Sequence, residues 1–267
     1  MIAETVTFWF AVIAYAVSFL TALVGLVFRK EKLVTLSWQL SAAGFAVHTM
    51  TVMLRWLETG YPPFVAFFES VSASCWFAIL GFLILTAYRP SMRGGAAGVM
   101  PVVFLLMGWA STPSYAGQGL SASLKSTWLF IHASFATAGV GAFIVAAGIS
   151  VAWLWRKRRD GGIEAADPLV IDETVFRFIS VGFLFYTIMI ISGAIWANQA
   201  WGRYWGWDPI ATWSLITWLL YALYLHMHFT YPRLRGSVLA WYAALAVILA
   251  AFSLWGVSYV YQTIHTY

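Results

Sequence analysis

Charged side chains are scarce in this sequence. Only 9% of its 267 residues are Asp, Glu, Lys or Arg, whereas about a quarter of a typical soluble domain is charged. Hydrophobic residues make up 62% of the chain, and its mean hydropathy is +0.80. This composition excludes an ordinary soluble fold and indicates an integral membrane protein with the lipid bilayer as its solvent. We therefore assign the formal net charge of +5 to loops, not to a surface for nucleic acid.

Cysteine is almost absent as well. The single cysteine, Cys75, lies inside an apolar run, which excludes a CxxC motif and any disulfide framework within the chain. We interpret Cys75 as a packing residue. Histidine is also rare, with five in the chain, so a site built on imidazoles must draw on a short set of candidates.

Long apolar runs dominate what remains. Runs of about 20 residues predict an all-α integral membrane protein with about eight transmembrane helices, organised as one polytopic domain over residues 1–267. The predicted spans are 5–28, 33–54, 64–88, 96–111, 128–154, 176–196, 210–229 and 238–261. We expect the first run to stay in the mature chain, because a basic cluster follows it and none precedes it.

The basic residues are distributed unevenly between the predicted loops. One set of helix ends carries twelve of them: Arg29, Lys30, Lys32, Arg89, Arg93, Arg156, Lys157, Arg158, Arg159, Arg177, Arg233 and Arg235. The opposite set carries only Arg55, Lys125 and Arg203. The positive-inside rule then predicts that the first set is cytoplasmic and that both termini lie on the outer side.

Tryptophan is concentrated in one short stretch. The segment WANQAWGRYWGWDP, residues 196–209, contains Trp196, Trp201, Arg203, Trp205, Trp207 and Asp208. It joins the sixth and seventh predicted helices on the outer side, and we interpret it as a loop. Tryptophan faces cover flat apolar ligands, and their indole N–H groups remain to bind polar ones. An aromatic belt at the membrane interface is the alternative, but it does not explain four tryptophans in so short a stretch.

Two histidines are predicted on the same outer side as this stretch. His132 lies a few residues into the fifth helix, and His265 lies just beyond the eighth. Two imidazoles without clustered carboxylates or thiolates suit haem iron better than zinc or calcium. Haem is a flat apolar disc with two propionates, so tryptophan faces would cover it and Arg203 would pair with a propionate. The pattern favours haem b as the cofactor.

The other histidines and Asp208 carry less decisive signals. His226 lies well inside the seventh helix, where an ionisable residue indicates either a functional site or a hydrogen bond between helices. His48 lies in the outer half of the second helix, and His228 lies near the inner interface on a different face from His226. Asp208 followed by Pro209 is typical of a helix N-cap, and we favour that role over a catalytic one.

Several segments resemble the CcsA/ResC family of cytochrome c biogenesis proteins, part of a wider haem-handling superfamily with a WWD domain. GAIWANQAWGRYWGWDP followed by TWSLITWLLYALYLH resembles the family signature, centred on residues 196–218, and aligns His226 with its transmembrane histidine. LKSTWLFIHASFATAGVGAF and WGVSYVYQTIHTY resemble the segments that carry the two external haem ligands, here His132 and His265. HTMTVMLRWLETGYPPFVAFFES resembles an N-terminal family segment, with matches at Arg55, Gly60, Pro63, Glu69 and Ser70.

The resemblance implies the haem-handling subunit of a membrane complex. Haem would enter near His226 and reach an outer site between His132 and His265, held there by the tryptophan-rich stretch. Its vinyl groups would then form thioether bonds with the CxxCH thiols of an apocytochrome c. A CcsB/ResB-type partner would supply the second transmembrane histidine and complete a holocytochrome c synthase, or haem lyase. The membrane would be the bacterial cytoplasmic membrane or one of the thylakoid type.

The chain also departs from the family pattern. Ile210 and Ala211 stand where the family usually has Lys-Glu after WDP. Three further replacements fall in the N-terminal segment, at Tyr61, Ala66 and Phe68. Two other functions therefore stay open: a HemX-like regulatory or scaffolding paralogue of haem synthesis, and a cytochrome b-like electron carrier with bis-histidine haems. An electron carrier would need both ligands of each haem in this chain, and the unpaired His226 disfavours it.

Overall fold

The structure is a computed structural model, and it describes residues 2–111, 126–159 and 167–261. These residues are helical throughout apart from short turns, so the all-α prediction is confirmed for them. The helices are α1 (Ile2–Val27), α2 (Glu31–Thr59), α3 (Phe67–Tyr88), α4 (Ala96–Ala110), α5 (Thr127–Arg159), α6 (Pro168–Trp201), α7 (Pro209–Thr230), α8 (Ser237–Ala251) and α9 (Val257–Val260). Two 3-10 turns, Pro90–Gly95 and Pro232–Leu234, precede α4 and α8, and a π-helical turn, Phe252–Gly256, joins α8 to α9.

Asp-Pro pairs set the beginnings of α6 and α7. Asp167 Oδ1 accepts a hydrogen bond from the Leu169 N–H at 2.9 Å, and Asp208 Oδ2 accepts one from the Ile210 N–H at 3.1 Å. The proline that follows each aspartate lacks an N–H that the first helical turn would leave unpaired. α6 ends at Gly202, whose φ of +71° gives the left-handed C-cap that glycine favours.

Successive helices run in alternate directions, so their ends form two groups. We call one group the basic end; it carries Arg89, Arg93, Arg156, Lys157, Arg158, Arg159, Arg233 and Arg235. There Arg159 donates to the Leu26 carbonyl oxygen at 2.8 Å, joining α5 to α1. At the opposite end, Arg55 Nε lies 3.0 Å from Glu69, and Arg55 also lies 3.7 Å from Glu4. The basic residues assigned to one side by sequence therefore meet at one end of the bundle.

Seven helical segments are long and apolar enough to cross a membrane: α1, α3, Pro90–Ala110, α5, α6, α7 and Ser237–Val260. Seven of the eight predicted spans are thus confirmed by length and composition within the described chain. The eighth, α2, has 29 residues but is less apolar. Two of its polar side chains contact α1: the Ser41 hydroxyl lies 2.8 Å from that of Ser18, and His48 Nδ1 lies 3.3 Å from Tyr15 OH. Because α1 satisfies these groups, we keep α2 as a proposed eighth span.

α5 is the central helix of the bundle. It contacts α3, α4, α6 and α8, and most of its apolar length is buried. Gly98 of α4 lies against the Gly148 backbone of α5 with no space for a Cβ atom between them. Small residues allow this close backbone approach between membrane helices. The beginning of this firmly packed helix carries His132.

Candidate functional site

An open cavity lies between α5, α6, α7 and the π-helical turn, at the end opposite the basic end. We call this end of the bundle the cavity end. The cavity encloses about 750 Å³, a figure that includes the open solvent at its mouth. Six of the predicted site residues line it: His132, Trp196, Trp201, Arg203, Trp205 and Asp208. The fold thus brings the fifth helix and the tryptophan-rich stretch together, as the sequence predicted.

His132 is held in one orientation by α6. Its Nδ1 atom lies 2.8 Å from the Met189 carbonyl oxygen. Because a carbonyl oxygen only accepts hydrogen bonds, Nδ1 carries the hydrogen and Nε2 carries the lone pair. Histidines that bind a metal through one ring nitrogen are commonly supported by such a bond from the other. Gly193, one turn beyond Met189, leaves the space that the ring occupies, since a Cβ there would lie 2.5 Å from Nδ1.

Two tryptophans stand beside His132 on α6. The Trp196 ring is inclined by 27° to the imidazole at a centroid distance of 6.4 Å, and the Trp201 ring meets that of Trp196 edge to face at 4.8 Å. The prediction that residues 196–209 form a loop was wrong for these two, because α6 continues through Trp201. No glycine or proline interrupts the sequence from Trp196 until Gly202, so the helix extends to that point. Both tryptophans therefore lie on α6 and not on a loop.

The loop itself is short, over residues 202–208. Trp205 lines the cavity, whereas Trp207 lies outside it and is 70% exposed. Their rings meet edge to face at 5.8 Å. Trp207 has a φ of +55°, in the left-handed region that costs a residue with a Cβ about 1–2 kcal/mol. The backbone thus holds the Trp207 ring outside the cavity at some cost in stability.

Two charged residues stand in the cavity wall. The Arg203 guanidinium lies over Gly206, where a Cβ would come within 2.9 Å of Nε, and the side chain is exposed to solvent. Asp208 is only 9% exposed and caps α7 through the Ile210 N–H. The predicted capping role of Asp208 is therefore confirmed, and it fixes the loop to the first turn of α7.

One imidazole, three tryptophan rings and one guanidinium line the cavity. Its imidazole is the His132 ring, beside aromatic walls and the Arg203 cation. In the residues that the structure describes, no group of three or more His, Cys, Asp or Glu side chains is placed to hold a metal ion. Structural and catalytic zinc sites need at least three such ligands, whereas porphyrin iron needs only axial ones.

His226 and His265 are not part of the described cavity. His226 lies on α7 towards the basic end, exposed on the bundle surface, and its ring meets that of Tyr231 edge to face at 6.3 Å. His265 lies outside the described residues. The described chain ends at Tyr261, just after α9, where the Tyr259 ring packs near Trp109 at 6.1 Å. Because α4 ends at the cavity end, the chain leaves the described structure on the side of the cavity.

The remaining two histidines are buried in other contacts. His48 Nε2 lies 2.9 Å from the Ser72 hydroxyl, on the side opposite its contact with Tyr15. His228 Nε2 lies 2.8 Å from Asp172 Oδ2. The sequence placed His228 near the inner interface and on another face than His226. It does lie near the basic end, but inside the bundle. Asp172 was missed, because it stands next to Glu173 near the start of α6 and no local pattern marks it as buried.

The N-terminal family segment forms a polar cluster beside the cavity, without lining it. The Glu69 side chain is fully buried and accepts from Arg55 at 3.0 Å and from the Ala66 N–H at 3.1 Å. Tyr61 OH lies 3.5 Å from the same carboxylate. Burial raises the pKa of the Tyr61 phenol above its usual value, and the Glu69 charge raises it further. Tyr61 is therefore a neutral donor, and the cluster ties α1, α2 and α3 together.

Comparison with known proteins identifies the family. The chain is 31% identical to the cytochrome c biogenesis protein CcsA of Guillardia theta, over 94% of both chains. It is 28% identical to the protein of that name from Gloeobacter violaceus, over 85% of each. A solved structure of a cytochrome c heme lyase CcmF shares the fold, with a TM-score of 0.70 at 16% identity, over 97% of this chain and 51% of that one. The chain thus spans about half the length of that structure. The family model "Cytochrome C assembly protein" matches residues 36–265, and the chain belongs to this family.

Proposed function

We propose that the chain is the haem-handling subunit of a membrane complex for cytochrome c biogenesis, and that it presents haem b in the cavity. The observation that carries the proposal is the hydrogen bond from His132 Nδ1 to the Met189 carbonyl oxygen, because it orients the ring and makes Nε2 the nitrogen that would bind iron. Family membership supports the role in cytochrome c biogenesis. The solved heme lyase supports the fold.

The cavity residues fit haem in shape and in charge. Trp196, Trp201 and Trp205 give aromatic walls for a flat apolar ring. The Arg203 guanidinium would pair with a propionate at the mouth. When bound, the haem supplies two vinyl groups to which the thiols of an apocytochrome CxxCH add. The chain's own side chains bind the ring, orient its edge and exclude water from its faces.

We propose that His265 would be the second histidine to hold the haem. The other histidines of the described chain are not placed to bind haem in the cavity. His48 and His228 are buried in contacts elsewhere, and His226 lies towards the basic end. His265 follows four residues after Tyr261, where the described chain ends on the side of the cavity. The resulting bis-histidine site would draw one ligand from α5 and one from the C-terminal segment.

A second haem position at His226 is part of the same proposal. This imidazole is exposed on the surface of the helix bundle. An ionisable group on a membrane helix is costly unless it is paired. His228, its nearest neighbour in sequence, points into the bundle towards Asp172. A partner of the CcsB/ResB type would therefore supply the facing ligand, and together the two chains would form the holocytochrome c synthase.

The proposed orientation follows from the charge distribution. The basic end lies in the cytoplasm, and the cavity end, with both termini, faces the outer side. Haem would pass from the cytoplasmic half near His226 to the outer cavity near His132. The membrane would be a bacterial cytoplasmic membrane or one of the thylakoid type.

Two other functions have less support. A bis-histidine electron carrier would need both ligands of each haem in one chain, and among the described residues His226 has no facing histidine, because His228 points towards Asp172. A HemX-like regulator would share the fold without attaching haem. One departure from the family pattern, Ile210 and Ala211 in place of Lys-Glu, lies at the site, because both residues line the cavity. This replacement makes the wall beside Asp208 more apolar and leaves the aromatic walls and His132 in place.

Complementation tests the proposed function. In a host that lacks its own copy of this gene, the wild-type chain should restore covalently bound haem in c-type cytochromes, measured by haem staining of denatured proteins. His132→Ala should abolish the stain at an unchanged level of the membrane protein. His48→Gln is the matched control, since His48 lies outside the cavity. Normal c-type cytochromes in the deletion host, with altered total haem instead, would contradict the proposal and favour the HemX-like role.

A further inference from the structure

The buried face of α7 is polar along most of its length. Five residues follow one another at intervals of three and four positions, which places them on one face of the helix: Ser214, Thr217, Tyr221, Tyr224 and His228. Thr217, Tyr221 and Tyr224 are at most 1% exposed. Buried polar side chains on membrane helices normally hydrogen-bond to a neighbouring helix. We call this set the α7 polar column.

Three hydroxyl groups of the column have no hydrogen-bond partner in the part of the chain that the structure describes. They are Thr217 Oγ1, Tyr221 OH and Tyr224 OH. Unpartnered buried hydroxyls destabilise a fold, and valine or phenylalanine of similar shape would avoid that cost. Tyr221 illustrates this, because its ring already stacks on Phe143 at a centroid distance of 3.5 Å and its hydroxyl adds nothing to that contact. Water molecules that bridge the hydroxyls would satisfy them.

The column reaches the cavity at one end. Ser214 lines the cavity, and its hydroxyl lies 3.5 Å from that of Ser253 in the π-helical turn. The Ser253 hydroxyl in turn lies 3.3 Å from Tyr186 OH on α6, and Tyr186 also lines the cavity. Three hydroxyls therefore stand where the column opens into the cavity.

The opposite end of the column lies at the basic end of the bundle. His228 closes it there, with Nε2 against Asp172 Oδ2, and Asp172 Oδ1 accepts from the Gly236 N–H at 3.1 Å. The Tyr224 and His228 rings lie 6.4 Å apart at 22°. The helical rise from Ser214 to His228 is about 21 Å, against roughly 30 Å for the hydrocarbon core. The column and the cavity together therefore cover most of the thickness of a membrane.

We propose that the α7 polar column holds a file of water molecules and conducts protons between the basic end and the cavity. Each hydroxyl or water accepts a proton from one neighbour and releases its own to the next. O–H bonds thus form and break in pairs, no electron moves, and no group on the column keeps a net charge. Protons enter at the basic end through the pair of Asp172 and His228 and leave into the cavity beside Ser214. Under the opposite gradient they move in the reverse direction. This path goes beyond the proposed function and does not require haem.

Proton flux into vesicles tests the path. The purified full chain is reconstituted into phosphatidylcholine vesicles that contain a pH-sensitive dye, and a potassium gradient with valinomycin sets the membrane potential. Vesicles with the wild-type chain should acidify faster than protein-free vesicles. Thr217→Val, Tyr221→Phe and Tyr224→Phe should each slow the flux about tenfold, the effect of losing one hydrogen-bonded link of about 1.4 kcal/mol.

Tyr15→Phe is the matched control. Tyr15 is a fully buried phenol on α1, bonded to His48 and outside the column, so its loss should leave the flux at the wild-type rate. Thermal unfolding and gel filtration establish that each variant is folded, and the three column variants are independent of one another. A wild-type flux equal to that of protein-free vesicles overturns the proposal. A raised wild-type flux that Tyr221→Phe and Tyr224→Phe leave unchanged overturns it as well.

Discussion

His132 of α5 and Gly193 of α6 lie so close that a Cβ atom on Gly193 would stand 2.5 Å from the imidazole Nδ1. The missing side chain lets the ring lie against α6, where Nδ1 donates to the Met189 carbonyl oxygen at 2.8 Å. The orientation of the proposed haem ligand thus depends on a glycine that binds nothing itself.

Gly193→Ala should displace the His132 ring and weaken its hydrogen bond to Met189. Loss of such support typically costs 10–100-fold in metal affinity, so we expect haem affinity to fall by about that factor. Titration of the purified haem-free protein with haem, followed by absorbance, measures it. Gly108→Ala on α4 is the matched control, because a Cβ there meets no atom within 4 Å. Equal affinities in the two variants would contradict this role for Gly193.

Asp208→Ala should remove the N-cap of α7 and lower the stability of the protein by about 1 kcal/mol. Because the cap also fixes the loop that carries Trp205, haem should dissociate faster from this variant. Asp167→Ala removes the equivalent cap of α6, and Asp167 is not among the cavity residues, so it should leave haem dissociation unchanged. The rates are measured by transfer of haem to apomyoglobin. If both variants release haem at the wild-type rate, the cap does not position the loop.

α2 should cross the membrane although it is the least apolar of the long helices. Leu57 near its end is 81% exposed, and Glu31 at its beginning is also exposed. Leu57→Cys should react with an impermeant maleimide in intact cells, and Glu31→Cys only in inverted vesicles. The native Cys75 is buried and gives little background. Reaction of both variants from the same side would show that α2 does not span the membrane.

His226→Ala should reduce haem in the cavity and the yield of c-type cytochromes together, at normal levels of the protein. The reason is the loss of one ligand from the site that we propose His226 shares with a partner, and added imidazole should partly restore both. Leu223→Ala is the control, because Leu223 is exposed one turn earlier on the same face of α7. Normal haem content and normal cytochromes in His226→Ala would leave the outer cavity as the only site.

The sequence predicted the architecture because membrane helices obey simple constraints of length and charge. Apolar runs located seven confirmed spans, and the basic residues meet at one end of the bundle. α2 illustrates the limit of hydropathy, because a hydropathy scale treats polar groups as solvated. Its Ser41, Thr51 and His48 side chains instead bond to α1. The Asp-Pro pair before α7 was predicted correctly, because capping is a local interaction.

The sequence predicted the site less completely, because its supports are tertiary contacts. His132 could be named, but not its bond to the Met189 backbone or the space left at Gly193. Trp196 and Trp201 were placed in a loop, because a stretch so rich in tryptophan was interpreted as irregular. No glycine or proline there ends the helix, and α6 continues through both residues. The pair of Asp172 with His228 joins two helices distant in sequence, so no local pattern marks it.

The absorption spectrum of His132→Gly tests the central claim most directly. The purified wild-type chain should carry low-spin haem b, and His48→Gln should keep that spectrum because His48 lies outside the cavity. His132→Gly should lose haem or show a high-spin spectrum, and added imidazole should restore the low-spin form by filling the axial position. A low-spin spectrum in His132→Gly without imidazole, equal to that of the wild type, would contradict the assignment of His132 as the ligand.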